Sequence, residues 1–191
     1  MDILTIFTFL LVISLMVMSP GPNGVLLLKT VPISGKKHGY ANVIGIVMAF
    51  YLHGTLSVFG LSAIIVSSAS LFLAVKVVGA IYLAYLGIKA ILSSFKQSNF
   101  DKSPEITEAS KRPRSLFSCF LEGLLTNLLN PKVSIFYLAA FPQFIDFNSN
   151  AIISSYILVS VHALFAALWF SLVVLLIGKS TSFVKSKRVH T

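Results

Sequence analysis

Ser19-Pro20-Gly21-Pro22-Asn23-Gly24 interrupts an apolar run that extends from Ile3 to Leu28. A second interruption, Asn130-Pro131-Lys132, cuts the run from Leu116 to Phe141. Both runs are long enough for a bilayer crossing, which takes roughly 20 apolar residues. Proline lacks a backbone donor and clashes with the turn before it, so each motif breaks its helix. Free backbone groups are costly in hydrocarbon, so broken helices survive there only beside protein or a wet cavity. Interrupted segments in corresponding positions of two halves mark the binding site of many secondary transporters.

Composition sets the class. Hydrophobic residues form 56% of the 191-residue chain and charged residues 11%, less than half the roughly 25% charged of soluble domains. The expected fold is all-α, a polytopic membrane helix bundle of one domain covering residues 1–191. Five spans are predicted, near 3–28, 40–66, 71–92, 116–141 and 151–178. A polar cytoplasmic linker (93–114) and a basic tail (179–191) complete the chain. The first span is expected to persist in the mature protein. Asp2 stands where a signal peptide carries basic residues, and prolines follow where cleavage needs small ones.

The net charge of +9 lies in loops and tail, not in a soluble basic domain, so nucleic acid is not an expected partner. Lys29, Lys36 and Lys37 flank the first loop, and Lys96, Lys102, Lys111, Arg112 and Arg114 lie in the third connection. The tail holds Lys179, Lys185, Lys187 and Arg188, whereas 67–70 and 142–150 hold no basic residue. The positive-inside rule then places the N-terminus outside and the tail in the cytoplasm. The single cysteine, Cys119, precludes an internal disulfide. No cysteine ladder, HExxH motif or nucleophile–base pair is present, so no metal, cofactor or enzymatic activity is expected.

The two halves share a spacing. His53 follows Pro22 by 31 residues, and His162 follows Pro131 by the same interval. The first and fourth spans run in opposite directions under the assigned orientation, so the breaks belong to an inverted repeat.

Each break exposes backbone groups. The first amides of a helix have no internal partner and sit at the positive end of its dipole, a ready anion site. Pro20, Gly21, Pro22, Asn23 and Gly24 are therefore substrate-binding candidates, with Thr126, Asn130, Pro131 and Lys132 from the second break. Lys132, inside a span, must be paired or cavity-facing; neutralising a substrate carboxylate and pairing with an acid are both open. Ser118, Glu122, Thr126 and Asn130 recur every four residues and predict one polar stripe. Glu122 is a proton-coupling candidate, or else a glutamate reaching interfacial water. His53 and His162 are the other candidates, since histidine titrates near neutral pH; the alternative is a satisfied bundle histidine. Gly45, Ala49, His53 and Ser57 predict a close-packing face.

These motifs resemble a known family. Ser19-Pro20-Gly21-Pro22-Asn23 with Gly35, Gly39 and Gly45 is similar to the first signature of the LysE/RhtB amino-acid exporters. Tyr82-Leu83-Ala84-Tyr85-Leu86-Gly87-Ile88-Lys89-Ala90 resembles the family's third-span motif. Gly123-Leu124-Leu125-Thr126-Asn127-Leu128-Leu129-Asn130-Pro131-Lys132, continued by Phe141-Pro142-Gln143-Phe144, resembles its most specific one. The resemblance implies proton-driven export of amino acids or close derivatives, of the homoserine, threonine and leucine type, from a bacterial cytoplasmic membrane. The implied partners are a small amino-acid substrate and the lipid bilayer, with a homodimer left open.

Two departures accompany the resemblance. Many members carry an acidic residue where Phe50 aligns, so coupling through that span lacks its usual carboxylate. Members usually end with a sixth span, which the five-span reading lacks. The alternative function is therefore a truncated, non-transporting paralogue or an assembly partner.

Overall fold

The computed structural model describes residues 2–67, 114–145 and 150–189, with isolated positions between 70 and 92. Side chains at 61–67 and 181–189 are not described. Described positions between 70 and 92 are helical. The predicted third span as a whole, its Tyr82–Ala90 motif and the linker before Arg114 otherwise lie outside the described residues. Among the described residues every element is helical.

The first apolar run forms two helices, α1 (Ile3–Met18) and α2 (Pro22–Ser34), which meet at 51°. Asp2 caps α1 by accepting from the Thr5 amide at 2.8 Å, the usual use of a short acidic side chain at a helix start. Pro22 is the first residue of α2, the one helical position where a missing N–H costs nothing. Gly35 then ends α2 with a φ of 86°, a left-handed conformation that suits glycine. The chain reverses there into α3 (Lys36–Ser67).

The second half repeats the break. Leu116–Leu128 forms α4, and α5 (Pro131–Ile135) continues through a π turn, Phe136–Ala140, and a 3-10 turn, Phe141–Phe144. The two arms meet at 50°, matching the bend of the first half. Pro131 again occupies the first helical position, here behind an Asn130 cap. The last helix, α6, runs Ala151–Val189. The expected boundaries shift at three places: α3 begins four residues before Tyr40, helix continues through most of the basic tail, and the fourth segment runs on to Phe144. Lysine and arginine are good helix formers, so the tail's charge does not stop the helix.

Among the described residues two helices are long and apolar enough to cross a membrane, through Lys36–Gly60 and Ala151–Ser180, and the number rises to four if each bent pair is one broken span. The 25 residues of the first extend roughly 38 Å at ~1.5 Å per residue, more than the ~30 Å hydrocarbon core. The lipid-facing side is apolar, with Leu4, Phe7, Leu11 and Leu15 of α1 all exposed. In water such a stripe would be an aggregation hazard; in lipid it is the expected surface.

Helix α3 is central and packs on α2, α4 and α6. Its contact with α4 is unusually close. A Cβ built on Gly45 would overlap the Phe120 carbonyl, and one on Gly123 would overlap the Asn42 carbonyl. With the backbones this near, the Asn42 side chain reaches the Cys119 carbonyl at 2.7 Å. The predicted Gly45, Ala49, His53 and Ser57 face is indeed buried.

On α4 the polar stripe falls differently. The buried positions are Cys119, Gly123 and Asn127, one residue beyond the expected Ser118, Glu122 and Thr126. Asn130 has left the helix, which stops at Leu128. Gly123 is the cause: the only face of α4 that can approach α3 is the one without a Cβ.

Gly123→Ala should destabilise the bundle by about 1–3 kcal/mol through overpacking against backbone. A Cβ at Gly60 of α3 meets nothing within 4 Å, so Gly60→Ala should be neutral or slightly stabilising. Thermal unfolding in detergent measures both, and equal losses would refute the assigned crossing.

Candidate functional site

Two breaks in a helical bundle leave carbonyls without donors and amides without acceptors. Here they answer one another. Lys132, the second residue of α5, donates from Nζ to the Ser19 carbonyl at 3.1 Å and to Ser19 Oγ at 2.7 Å. Ser19 caps the end of α1, where the helix dipole is negative and favours a cation. The Ser19 hydroxyl in turn donates to the Met16 carbonyl at 3.1 Å. On the other side, Asn130 Oδ1 accepts the Lys132 amide at 3.1 Å, which orients the lysine at its base.

A second link joins the breaks deeper in the bundle. Asn23 Nδ2 donates to Asn127 Oδ1 at 2.9 Å. Asn127 Nδ2 donates to the Ile46 carbonyl at 2.8 Å. The Asn127 backbone carbonyl accepts from His53 Nε2 at 3.2 Å. Asn127 therefore ties α2, α3 and α4 together from a fully buried position.

Between these links lies a cavity of about 270 Å³, just under the roughly 300–1,000 Å³ of pockets for drug-sized ligands. Ser19, Pro20, Gly21, Asn23 and Gly24 form its wall from the first break, and Asn130 and Lys132 from the second. Phe50 of α3 and Trp169, Phe170 and Val173 of α6 close the apolar side.

Of the candidates named from sequence, Pro20, Gly21, Asn23, Gly24, Asn130 and Lys132 line the same cavity. Pro22 and Pro131 stand behind the wall as the first residues of α2 and α5. Thr126 is half-buried on α4 and does not line the cavity. Glu122 sits one turn further from the break and pairs with Arg114 at 3.1 Å, both side chains being partly exposed. Exposed pairs of this kind contribute about 0–1 kcal/mol.

The histidines behave as a pair. The imidazoles of His53 and His162 both lie nearly parallel to the Tyr137 ring, with centroids 5.5 and 5.7 Å from it and interplanar angles of 12° and 6°. The Tyr137 hydroxyl and His162 Nδ1 are 3.1 Å apart. His162 Nε2 is buried without a hydrogen-bond partner. Tyr137 is delivered by the π turn, and its carbonyl accepts from Ser57 Oγ at 2.6 Å. Single π turns inside helices often accompany functional sites. Phe50 packs against His162 with ring centroids 4.1 Å apart and planes tilted by 37°, and it also lines the cavity.

Three residues of this network were not singled out from sequence. Ser19 and Asn127 sit inside the motifs themselves, and the four-residue interval from Gly123 to Asn127 was the available signal for the latter. Tyr137 carried none, because its placement depends on the π turn.

Residues 14–191 match the family of LysE type translocators, and the chain belongs to this family. It is similar to the uncharacterized membrane protein YrhP of Bacillus subtilis, 30% identical over 96% of the chain and 88% of that protein. It is also 32% identical to a leucine efflux protein of Klebsiella pneumoniae, over 78% of the chain and 66% of the relative. A threonine efflux protein of Salmonella typhi is 31% identical over 76% and 68%. The matched stretch thus spans about two thirds of the two efflux proteins. No solved structure matches.

Asn127→Ala leaves the Asn23 amide and the Ile46 carbonyl without their partner. A buried unsatisfied group costs about 1–3 kcal/mol, so a fall in thermal stability of a few kcal/mol is expected. Thr126→Ala, one residue away, should change little. A comparable loss from both would show that Asn127 is not the link.

Proposed function

We propose that this protein is a secondary exporter of amino acids or close derivatives, driven by the proton gradient across a bacterial cytoplasmic membrane. The observation that carries the reading is the cavity between the two breaks, with Asn23, Asn130 and Lys132 on its wall. Membership of the translocator family and likeness to leucine and threonine efflux proteins support the same reading.

A zwitterion suits this site. Lys132 Nζ and the leading amides of α2 form a positive region for the carboxylate. Carboxylate binding competes with the Ser19 contacts of Lys132, so substrate entry loosens the link between α1 and α5. Because those arms belong to oppositely bent halves, loosening it favours rocking of one half against the other and alternating access. Proton exchange falls to the His53–Tyr137–His162 stack beside the cavity, with Glu122 serving instead as the ion-pair partner of Arg114. The orientation has the N-terminus outside and the tail in the cytoplasm, from the placement of basic residues.

Efflux of threonine, homoserine and leucine from loaded cells tests the reading. Asn130→Ala and Pro131→Ala should each lower export about tenfold or more, because each disturbs the start of α5 that positions Lys132; tenfold corresponds to about 1.4 kcal/mol. Wild-type rates in both variants would overturn the site assignment. A protonophore should abolish uphill export by the wild type. His162→Gln should keep substrate exchange while losing its dependence on the pH gradient; Glu122→Gln should retain both.

A further inference from the structure

Four aromatic rings meet the imidazole of His162, which is 0% exposed. Phe50 of α3 lies nearest, with its centroid 4.1 Å away. Phe136 and Tyr137 of the π turn follow at 5.6 and 5.7 Å, and Phe9 of α1 at 6.3 Å. The Tyr137 hydroxyl partners Nδ1, but Nε2 is buried with no hydrogen-bond partner. No carboxylate among the described residues serves it: Asp2 caps α1 and Glu122 pairs with Arg114. The titratable groups on this side are Tyr137 and, against the same tyrosine ring, His53 of α3. His53 Nε2 is already committed to the Asn127 carbonyl.

A buried charge without a partner is strongly unfavourable, so a proton on His162 has to be met by electron density from another source. Ring faces are what the fold places there. A cation over an aromatic face, within about 6 Å of the centroid, is attracted to it. At 4.1 Å, with planes tilted by 37°, the imidazole lies over the face of Phe50, because rings meeting edge to edge stand further apart. The same ring lines the cavity. It is only 1% exposed, so it yields to cargo only by moving against the groups packed on it, His162 among them. We propose that Phe50 is the positioning residue that sets cargo against proton. Its ring face stabilises the protonated His162, and cargo in the cavity pushes the ring off that position. Each ligand then weakens the hold of the other, as exchange of a proton for an amino acid requires, and linkage makes the effect reciprocal. The inference rests on the export reading above and adds the residue through which cargo and proton communicate.

The full-length protein in proteoliposomes, with equal pH on both sides, tests this by exchange of labelled leucine. Between about pH 5.5 and about pH 8 histidine is the side chain that changes charge. The half-saturating leucine concentration should be about 2- to 30-fold higher at the acid end, the fold-change of one cation–π contact. Replacing Phe50 by mono-, di- and trifluorophenylalanine withdraws electrons from the ring face while keeping its shape. The ratio should fall stepwise along that series, and it should be near one in Phe50→Leu and in His162→Gln. Phe50→Trp, whose ring binds cations better, should keep it. A ratio of one in the wild type, or a ratio that fluorination leaves unchanged, would overturn the role of Phe50 and leave export intact. If the wild type exchanges none of leucine, threonine and homoserine, the export reading falls and this inference with it. The fluorinated series decides even if Phe50→Leu and Phe50→Trp do not fold.

Discussion

The contact from Lys132 Nζ to the Ser19 carbonyl and hydroxyl holds together what proline takes apart. An interrupted helix in hydrocarbon is tolerable only if its freed groups find partners, since lipid supplies none. Each break here lacks a complete set of its own. The first ends in a carbonyl that needs a donor, and the second begins with a lysine that needs an acceptor. Joining them meets both needs and fixes where α1 and α5 meet. The remaining features follow from that junction: a cavity bounded by two helix ends, and a buried asparagine pair that keeps the deeper backbones in register.

The two halves are built by the same physics with different residues. Gly21 leads into α2 without a side-chain cap, whereas Asn130 caps α5 with its own oxygen. The bends nonetheless agree to within a degree, 51° and 50°. Proline at the first helical position is common to both, and it sets the geometry of departure more than the cap does. The histidines at matching spacing also meet, through one tyrosine ring. In the proposed exporter, this pair of imidazoles would hold a proton apart from the substrate, with Phe50 touching both His162 and the cavity.

Lys132 has two tasks in sequence terms, structural lock and ligand for a carboxylate, and under the proposed function they become successive states of one residue. Its contacts with Ser19 are hydrogen bonds to neutral acceptors. A carboxylate is a stronger acceptor for an ammonium than a carbonyl or hydroxyl is. Binding energy can therefore be used to release the junction, which is how a ligand shifts a conformational equilibrium: through contacts that differ between the two states.

The amino-acid sequence by itself determined the membrane class, the all-helical fold, the two breaks and the part of the cavity wall that the breaks supply. Composition, apolar run length and proline are local properties that act wherever the chain goes. Pro20, Gly21, Asn23, Gly24, Asn130 and Lys132 were legible for that reason. Only the tertiary structure decided which polar residues turn inward. Two four-residue stripes on α4 were equally periodic, and the absence of a Cβ at Gly123 selected the one carrying Asn127. Glu122 was legible as an intramembrane carboxylate, but its role depended on Arg114, eight residues earlier, folding back within reach. Tyr137 and the Asn23–Asn127 link depend on a π turn and on a chain of hydrogen bonds across three helices. Such features arise from packing between segments distant in sequence, and no local pattern encodes them.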